Sequence, residues 1–395
     1  MNDMSGVQGQ ARTFTANDDA DIPRYVSVVA AAVFLVVLFA IAIIGLRITQ
    51  TALILSYAAG LVVLGIGWYF LVKRFPVISQ ALMRERTLLT AGTLACAIAY
   101  PFFATDPYQI HVMALGGIFA LMGLGLNVTI GFAGLADFGY IAYYAIGAYA
   151  SALFNVKLGL PFWLCLPLAG LVAACLSLLV AFPALRVKGH YLALVTLGFS
   201  FIVIQMITNL EKITGGTQGV FGIRAPNLFG YEFHTPLKLG TVTLPYQENF
   251  YYLVLLMLVL SAIVCSRLGR SRWGRVWAAM RNDEVATEAA GINLMKLKLL
   301  AFGTGASFGG IAGSLYAHMI GYIDPTTFRF IESIFLLAVV AVGNWRITGV
   351  IAAAVLFTVL PEKLRVFNEW RLFIFGFILL GVMLARGRRM ISSRY

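Results

Sequence analysis

The chain has 395 residues, of which 60% are hydrophobic and only 12% are charged, and its formal net charge is +12. A soluble domain carries about 25% charged residues, because its surface needs polar cover. This composition therefore excludes a soluble enzyme, a nucleic-acid-binding module and a disordered protein. We expect an all-α polytopic membrane protein in contact with membrane lipid, whose excess of Lys and Arg lies in cytoplasmic loops and binds no nucleic acid.

Twelve apolar runs follow a polar segment at residues 1–24, which we interpret as a cytoplasmic leader. At about 20 residues per span, they predict a bundle of about ten to twelve transmembrane helices with broken or re-entrant segments. The tenth and eleventh runs are short and fit either two short helices or one re-entrant pair. The runs cover 25–46, 52–72, 88–103, 112–130, 139–156, 162–182, 191–210, 250–265, 299–320, 331–343, 348–360 and 372–385.

Basic residues indicate the orientation of these runs. They concentrate in the segments 73–86, 183–190 and 266–298 and in the tail at 386–395, which holds four arginines and no acid. Positively charged loops stay in the cytoplasm, so twelve spans place all four segments and both termini inside. The segment 361–371 disagrees, because it is nominally outside and carries Lys363, Arg365 and Arg371.

Small and polar residues interrupt the apolar pattern between 123 and 154. Gly131 and Gly134 follow Asn127, and Asp137 comes next. Small residues let membrane helices approach closely, so helix packing is one interpretation. The other is a broken helix beside a transport path, where unwound backbone and polar side chains face the substrate. Asp137 fits equally well at the membrane interface.

The segment 266–298 is the longest basic loop, with seven Lys and Arg residues. Within it, RNDEVATEAAG at 281–291 predicts a short helix that ends at Gly291. Such a short helix is marginal in water by itself. It is therefore either a solvated connector or a coupling helix that docks into another protein, with a polar rim formed by Arg281, Asp283, Glu284 and Glu288.

Other motifs mainly exclude functions. TGGTQG at 214–219 is too rich in glycine to be helical throughout and is not followed by the Lys-Ser/Thr of a nucleotide-binding loop. No His, Cys or carboxylate spacing predicts a metal, a cofactor or an enzyme. Glu332 begins the tenth run and is either an intramembrane functional acid or a cap at a helix N-terminus.

Several sequence blocks in order resemble the LivM-type permeases of branched-chain amino-acid ABC importers, over roughly residues 112–384. Two departures stand out: the family's Gly-Gly-x-Gly is Gly343-Asn344-Trp345-Arg346 here, and its C-terminal Trp-Arg-Pro-x-Gly is missing. In the general pattern of the coupling loop, a glycine lies three residues beyond a Glu-Ala-Ala triplet. Here Gly291 directly follows the triplet Glu288-Ala289-Ala290. The matching blocks are GLNVTIGFAGLADFGYIAYYAIGAYASALF, LRVKGHYLALVTLGF, ITGGTQGVFGI, RNDEVATEAAGIN, KLLAF, FIESIFLLAVV and LPEKLR.

The resemblance implies one of two permeases in an inner-membrane importer, without cofactor or metal. Its partners would be a LivH-like permease, two cytosolic ATP-binding subunits and a periplasmic substrate-binding protein. The accessory helices would occupy 25–103 and the permease core 104–385, with 266–298 as coupling loop. Substrate-path candidates are Asn127, Gly131, Gly134, Asp137, Tyr144 and Glu332; coupling candidates are Arg281, Asp283, Glu284, Glu288, Ala289, Gly291 and Asn293.

Three alternatives stay open on sequence alone. The same architecture carries urea or short amides in related importers. An ion-coupled secondary transporter would prefer carboxylates in the middle of a span, whereas Asp137 and Glu332 both lie near the ends of runs. A membrane enzyme would need a nucleophile and base at catalytic spacing, and no such pair is evident.

Overall fold

The structure is a computed structural model that describes residues 86–104, 106–184, 190–228 and 246–363, with single residues and short stretches from 231 to 244 and at 376. The predicted spans at 25–46, 52–72 and 372–385, the leader and the basic tail lie outside these residues. The chain divides into two compact units, 1–103 and 104–395. Helix α1, Arg86–Phe103, belongs to the first unit and contains Pro101.

Long helices build the second unit, joined by short turns and by two-stranded β ladders. Their apolar sequences match the eight predicted runs between 112 and 360, so these eight runs and the run 88–103 in α1 are confirmed as helices. The helices are α2 Pro107–Leu126, α3 Tyr140–Leu158, α4 Phe162–Ala184, α5 His190–Asn209, α6 Glu211–Thr214, α7 Tyr246–Arg270, α8 Arg272–Asn282, α9 Glu284–Ala289, α10 Leu294–Ile320, α11 Phe330–Val342 and α12 Ile347–Lys363. The strands are β1 Val220–Phe221, β2 Asn227–Leu228, β3 Tyr231–Glu232, β4 Leu237–Leu239, β5 Val242–Leu244 and β6 Tyr322–Ile323.

Helix α10 forms the centre of the bundle and packs against α2, α3 and α4. Its glycines allow backbone-to-backbone contact. A Cβ atom on Gly310 would lie 2.5 Å from the carbonyl oxygen of Ala169 in α4, and one on Gly305 would lie 3.0 Å from that of Gly125 in α2. Gly147 of α3 lies directly against the backbone of Gly310. Close approach through small residues is the usual means of packing helices in membranes.

The helices of the second unit run in alternating directions, so the bundle has two ends. At the end we call the β end, β1 pairs with β6 in antiparallel register, and the Tyr108 hydroxyl at the start of α2 donates to Glu362 near the end of α12. At the opposite end, the α8 end, Phe132 packs on Gly269. The basic residues of the segment 266–298 lie at the α8 end.

Helices α11 and α12, which correspond to the two short apolar runs, form an antiparallel hairpin. Both outer ends of the hairpin lie at the β end, and its turn, Gly343–Arg346, lies at the α8 end. Gly343 and Gly349 face each other so closely that a Cβ on Gly343 would lie 2.6 Å from the Val350 backbone. Glu362 therefore lies at the β end, and the predicted placement of the segment 361–371 outside the cell stays a prediction.

The helical architecture and the polytopic character follow from these elements, but the number of spans does not. Within the described residues, five helices are long and apolar enough to cross a membrane by length and composition. These are 107–132, 162–179, 191–209, 246–270 and 325–342. The predicted count of ten to twelve spans stays a prediction.

Candidate coupling site

The interrupted helix predicted around Asn127 is present as a change of helical form. Helix α2 continues as a π-helical segment, Asn127–Phe132, which closes with a hydrogen bond from Leu135 N to Thr129 O of 2.9 Å. Short π-helical segments are rare and occur frequently at functional sites. The chain then runs without regular structure to Gly139, and α3 begins at Tyr140. The broken-helix interpretation therefore describes the backbone at this position.

Packing also explains two of the small residues in this segment. A side chain on Gly131 would collide with the amide group of Asn127, whose own side chain is buried. Gly134 has a φ of 74°, and a Cβ there would lie 2.7 Å from Cγ of Arg281. Both glycines are thus required by close approach, and Gly134 also by its left-handed backbone.

Arg281 joins this broken helix to the predicted coupling segment. It lies in the last turn of α8, and its Nη1 donates a short hydrogen bond to the carbonyl oxygen of Gly131. Its guanidinium carbon lies 5.7 Å from the centre of the Trp345 ring, within the range of a cation–π contact. Asn127 completes the cluster, since its Nδ2 donates to the Trp345 carbonyl oxygen at 3.2 Å.

These contacts bring together residues that the sequence assigned to two separate sites. Asn127, Gly131 and Gly134 were predicted on a substrate path, and Arg281 was predicted to dock on an ATPase. In the structure they form one cluster with Trp345, which the sequence singled out only as a departure from the family pattern. We call these five residues the coupling cluster.

The predicted single helix over 281–290 is wrong in detail. Asp283 has an extended backbone, with φ −154° and ψ 106°, and it separates α8 from α9. Its carboxylate accepts a hydrogen bond from Ala286 N at 3.0 Å and so caps α9. This arrangement is favoured because an Asp at the N-cap satisfies an amide that the first turn leaves unpaired.

The four charged residues of the predicted polar rim have different partners within the chain, and their role as a rim against another protein stays a prediction. Arg281 contacts Gly131 and Trp345, Asp283 caps α9, and Glu284 accepts from Lys298 Nζ at 2.9 Å. Glu288 is exposed. Neighbouring Val285 is 75% exposed, and Ala286, Ala289 and Ala290 are exposed as well. The exposed surface of α9 thus combines small apolar residues with charged ones, because Arg281 and Asp283 are exposed as well as Glu288.

Gly291 and Asn293 fix the exit from this segment. Gly291 has the positive φ that its predicted role in ending the helix requires, at 80°, and the space around its missing side chain is empty within 4 Å. Asn293 caps the next helix, because its Oδ1 accepts from Lys296 N at 3.0 Å. Trp277 attaches the segment to α10, because its buried ring donates a hydrogen bond from Nε1 to the Leu297 carbonyl oxygen at 3.0 Å.

Asp137 lies apart from the coupling cluster and is 1% exposed. Its Oδ1 accepts from Gly139 N at 3.1 Å, while Oδ2 has no hydrogen-bond partner. The next residue, Phe138, donates its amide to Thr196 in α5. The structure therefore places the Asp137 side chain in the interior of this chain.

Tyr144 and Glu332 belong to a third place, nearer the β end. Tyr144 contacts Phe328, with ring centres 5.3 Å apart, and Glu332 lies half-buried in the first turn of α11. A groove of about 350 Å³ lies nearby between α5 and the segment 325–330, with Phe201, Ile204, Phe328, Arg329 and Phe330 among its lining residues. None of the predicted path residues is among those that line this groove, and their place on a substrate path stays a prediction.

Sequence reasoning missed two polar contacts that hold this arrangement. Ser333 caps the start of α3 through its hydroxyl, which accepts from Ile141 N at 3.0 Å. His318 is buried between the Arg224 carbonyl oxygen and the Ser151 hydroxyl, at 2.7 and 3.0 Å. A lone polar residue in an apolar run was the available signal, but spacing alone does not give its partner.

Comparison with known proteins identifies the family. A family model described as "Branched-chain amino acid transport system / permease component" matches residues 108–383. The chain belongs to this permease family. The resemblance predicted from the sequence blocks is therefore confirmed, and the chain is a multi-pass membrane permease and not an enzyme.

Individual relatives of this permease agree with the family. The high-affinity branched-chain amino acid permease LivM of Escherichia coli K12 is 41% identical over 324 residues, which is 79% of this chain and 76% of the relative. The LivH permease of the same strain is 26% identical over 54% of this chain and 70% of its own length. The guanosine permease NupQ of Bacillus subtilis is 24% identical over 62% of this chain and 74% of its own length. No solved structure matches the chain significantly.

Proposed function

We propose that this permease translocates branched-chain amino acids as one of two permeases in an ATP-driven importer of the inner membrane. A LivH-like permease is the expected partner in the membrane, with two cytosolic ATP-binding subunits and a periplasmic substrate-binding protein. The similarity to LivM over most of both chains supports the substrate class, and the weaker similarity to LivH supports a related second permease.

The orientation that fits this function has the α8 end and both termini in the cytoplasm. The basic segment 266–298 lies at the α8 end, where the positive-inside tendency requires it. The β end then faces the periplasm and offers its short strands and loops to the binding protein. An even number of spans, within the predicted ten to twelve, agrees with two cytoplasmic termini.

Coupling to ATP hydrolysis enters, we infer, through α8 and α9. The observation that carries this proposal is that one segment has two faces with different contacts. Its outward face at Val285, Ala286 and Ala289 is exposed and apolar, which suits a partner surface. Its inward face holds the broken helix through Arg281 and Gly131, so a movement of the docked segment reaches the membrane helices.

The test is leucine uptake by the complete complex in proteoliposomes, measured together with ATP hydrolysis. Arg281→Ala should lower uptake per ATP about tenfold, because a hydrogen bond from a charged donor contributes about 1.5–3 kcal/mol and this one is partly buried. Arg275→Ala is the matched control, since Arg275 lies on the same helix and, within the part of the chain that the structure describes, its guanidinium donates to the nearby Arg270 carbonyl oxygen alone. Equal uptake per ATP in the two variants would refute the coupling route, and transport of urea or guanosine without leucine would refute the substrate class.

A further inference from the structure

We propose that Trp345 is a positioning residue for coupling, through whose ring the coupling segment holds the hairpin of α11 and α12. The proposal rests on the proposed function and adds a second branch to the route that starts at Arg281. The first branch leads to the broken helix at Gly131. The second leads to the turn Gly343–Arg346 and from there to both helices of the hairpin.

The turn has an unusual backbone. Asn344 and Trp345 are the two non-glycine residues with positive φ among the described residues, at 57° and 59°. Asparagine adopts this conformation more readily than most residues, but a bulky side chain is crowded in it. The family pattern has glycine at the position of Asn344, whereas Trp345 and Arg346 bring large side chains into the turn. Such a conformation persists only where neighbouring groups hold it.

Two neighbours from outside the hairpin hold Trp345. The guanidinium of Arg281 lies over its ring at 5.7 Å, and Asn127 binds its carbonyl oxygen. The side chain and the main chain of one strained residue are thus fixed by the coupling segment and by the broken helix. If Arg281 moves away with α8, the ring loses its cation and the turn loses one of its two supports.

The hairpin is built so that a change in the turn is transmitted. Gly349 packs directly on the carbonyl group of Gly343, which leaves no side chain between the helices to absorb a shift. Further along α11, Ser333 accepts the hydrogen bond from Ile141 N at the start of α3. A displacement of the turn therefore reaches α3 as well as α12.

The experiment measures leucine uptake per ATP hydrolysed by the complete complex in proteoliposomes. Trp345→Gly removes the ring and also relieves the backbone strain, so a purely conformational role predicts normal coupling. We expect the complex to assemble and hydrolyse ATP, with uptake per ATP lowered about fivefold, a magnitude consistent with loss of one partly buried cation–π contact. Trp345→Phe should keep most of the coupling, and Trp163→Ala, at the β end, is the control for loss of a tryptophan.

A comparison of Trp345→Phe with Trp345→Leu shows whether coupling needs an aromatic ring at position 345, even if the glycine variant fails to assemble. Both side chains carry the same backbone strain, and only phenylalanine offers an aromatic face. The double variant Arg281→Ala/Trp345→Leu should be no worse than the more impaired single variant, because both changes break one contact. Equal coupling in the Phe and Leu variants, or additive defects in the double variant, would overturn the proposal. Uncoupling by Arg281→Ala with normal Trp345 variants would overturn it while leaving the proposed function intact.

Discussion

Replacing Gly291 by valine tests whether the turn after α9 positions the coupling segment. Gly291 has a φ of 80°, and nothing within 4 Å would touch an added Cβ. The cost is therefore conformational and not steric. A left-handed backbone costs an ordinary L residue about 1–2 kcal/mol, which lowers the population of the native turn about 5- to 30-fold. A β-branched residue should cost more, and Asn less.

We expect Gly291→Val to insert normally but to reduce binding of the ATP-binding subunits, or to lower leucine uptake per ATP. Co-purification of the ATP-binding subunits with the tagged permease measures the first effect, and proteoliposome transport measures the second. Gly291→Asn is the control, because it adds a side chain of similar size that tolerates positive φ. Full docking and coupling in Gly291→Val would refute the role of the turn. Equal damage by Asn and Val would show that a partner surface occupies the empty space.

Three further predictions test other parts of the molecule. Gly147→Ala should prevent assembly because its Cβ would collide with the Gly310 backbone, whereas Gly198→Ala, with open space around it, should leave yield and thermal stability of the purified complex unchanged. Burial raises the pKa of Asp324, but hydrogen bonds from Thr327 and Thr326 outweigh it and hold the pKa below its ordinary value. Its stabilising contribution is thus present at neutral pH and is lost as the pH falls below about 4. The protection of the Thr327 amide against hydrogen exchange, relative to the intrinsic exchange rate at the same pH, should therefore fall there, but not in Asp324→Asn. Reporter fusions at residues 275 and 395 should be active only as cytoplasmic reporters and a fusion at 104 only as a periplasmic one.

Much of the fold was predictable because apolar run length determines where a membrane helix forms. The runs 162–182 and 191–210 differ from α4 and α5 by only one or two residues at their ends. Boundaries were less certain where polar residues still belong to a helix: α7 extends from Tyr246 to Arg270, beyond both ends of the run 250–265. The sequence left two short helices and one re-entrant pair as alternatives for the tenth and eleventh runs, since run length alone does not distinguish them, and the antiparallel hairpin is compatible with both.

The site was only partly predictable, because its contacts join distant parts of the chain. Asn127 and Arg281 could each be selected from local pattern. Asn127 and Trp345, however, are separated by 218 positions in sequence, and no local pattern indicates that the two residues are hydrogen-bonded. Asp283 was predicted inside a helix because RNDEVATEAA has high helix propensity. In the structure, Asp283 instead occupies the N-cap position of α9, a position that Asp favours. The glycines of α10 were overlooked because glycine in an apolar run does not indicate which neighbour it faces.

The glycine contacts of α10 have a consequence for communication between the two faces of the membrane. This helix of 27 residues is about 40 Å long at 1.5 Å per residue. Its first turns include Lys298 and contact Trp277, and near its end His318 is hydrogen-bonded to the Arg224 carbonyl oxygen. Backbone packed on backbone cannot be compressed as flexible side chains can, so we expect α10 to move as a rigid rod. If the proposed importer is correct, thermodynamic linkage applies in both directions: the free energy by which ATP binding changes the affinity for the binding protein equals the free energy by which the loaded binding protein changes the affinity for ATP.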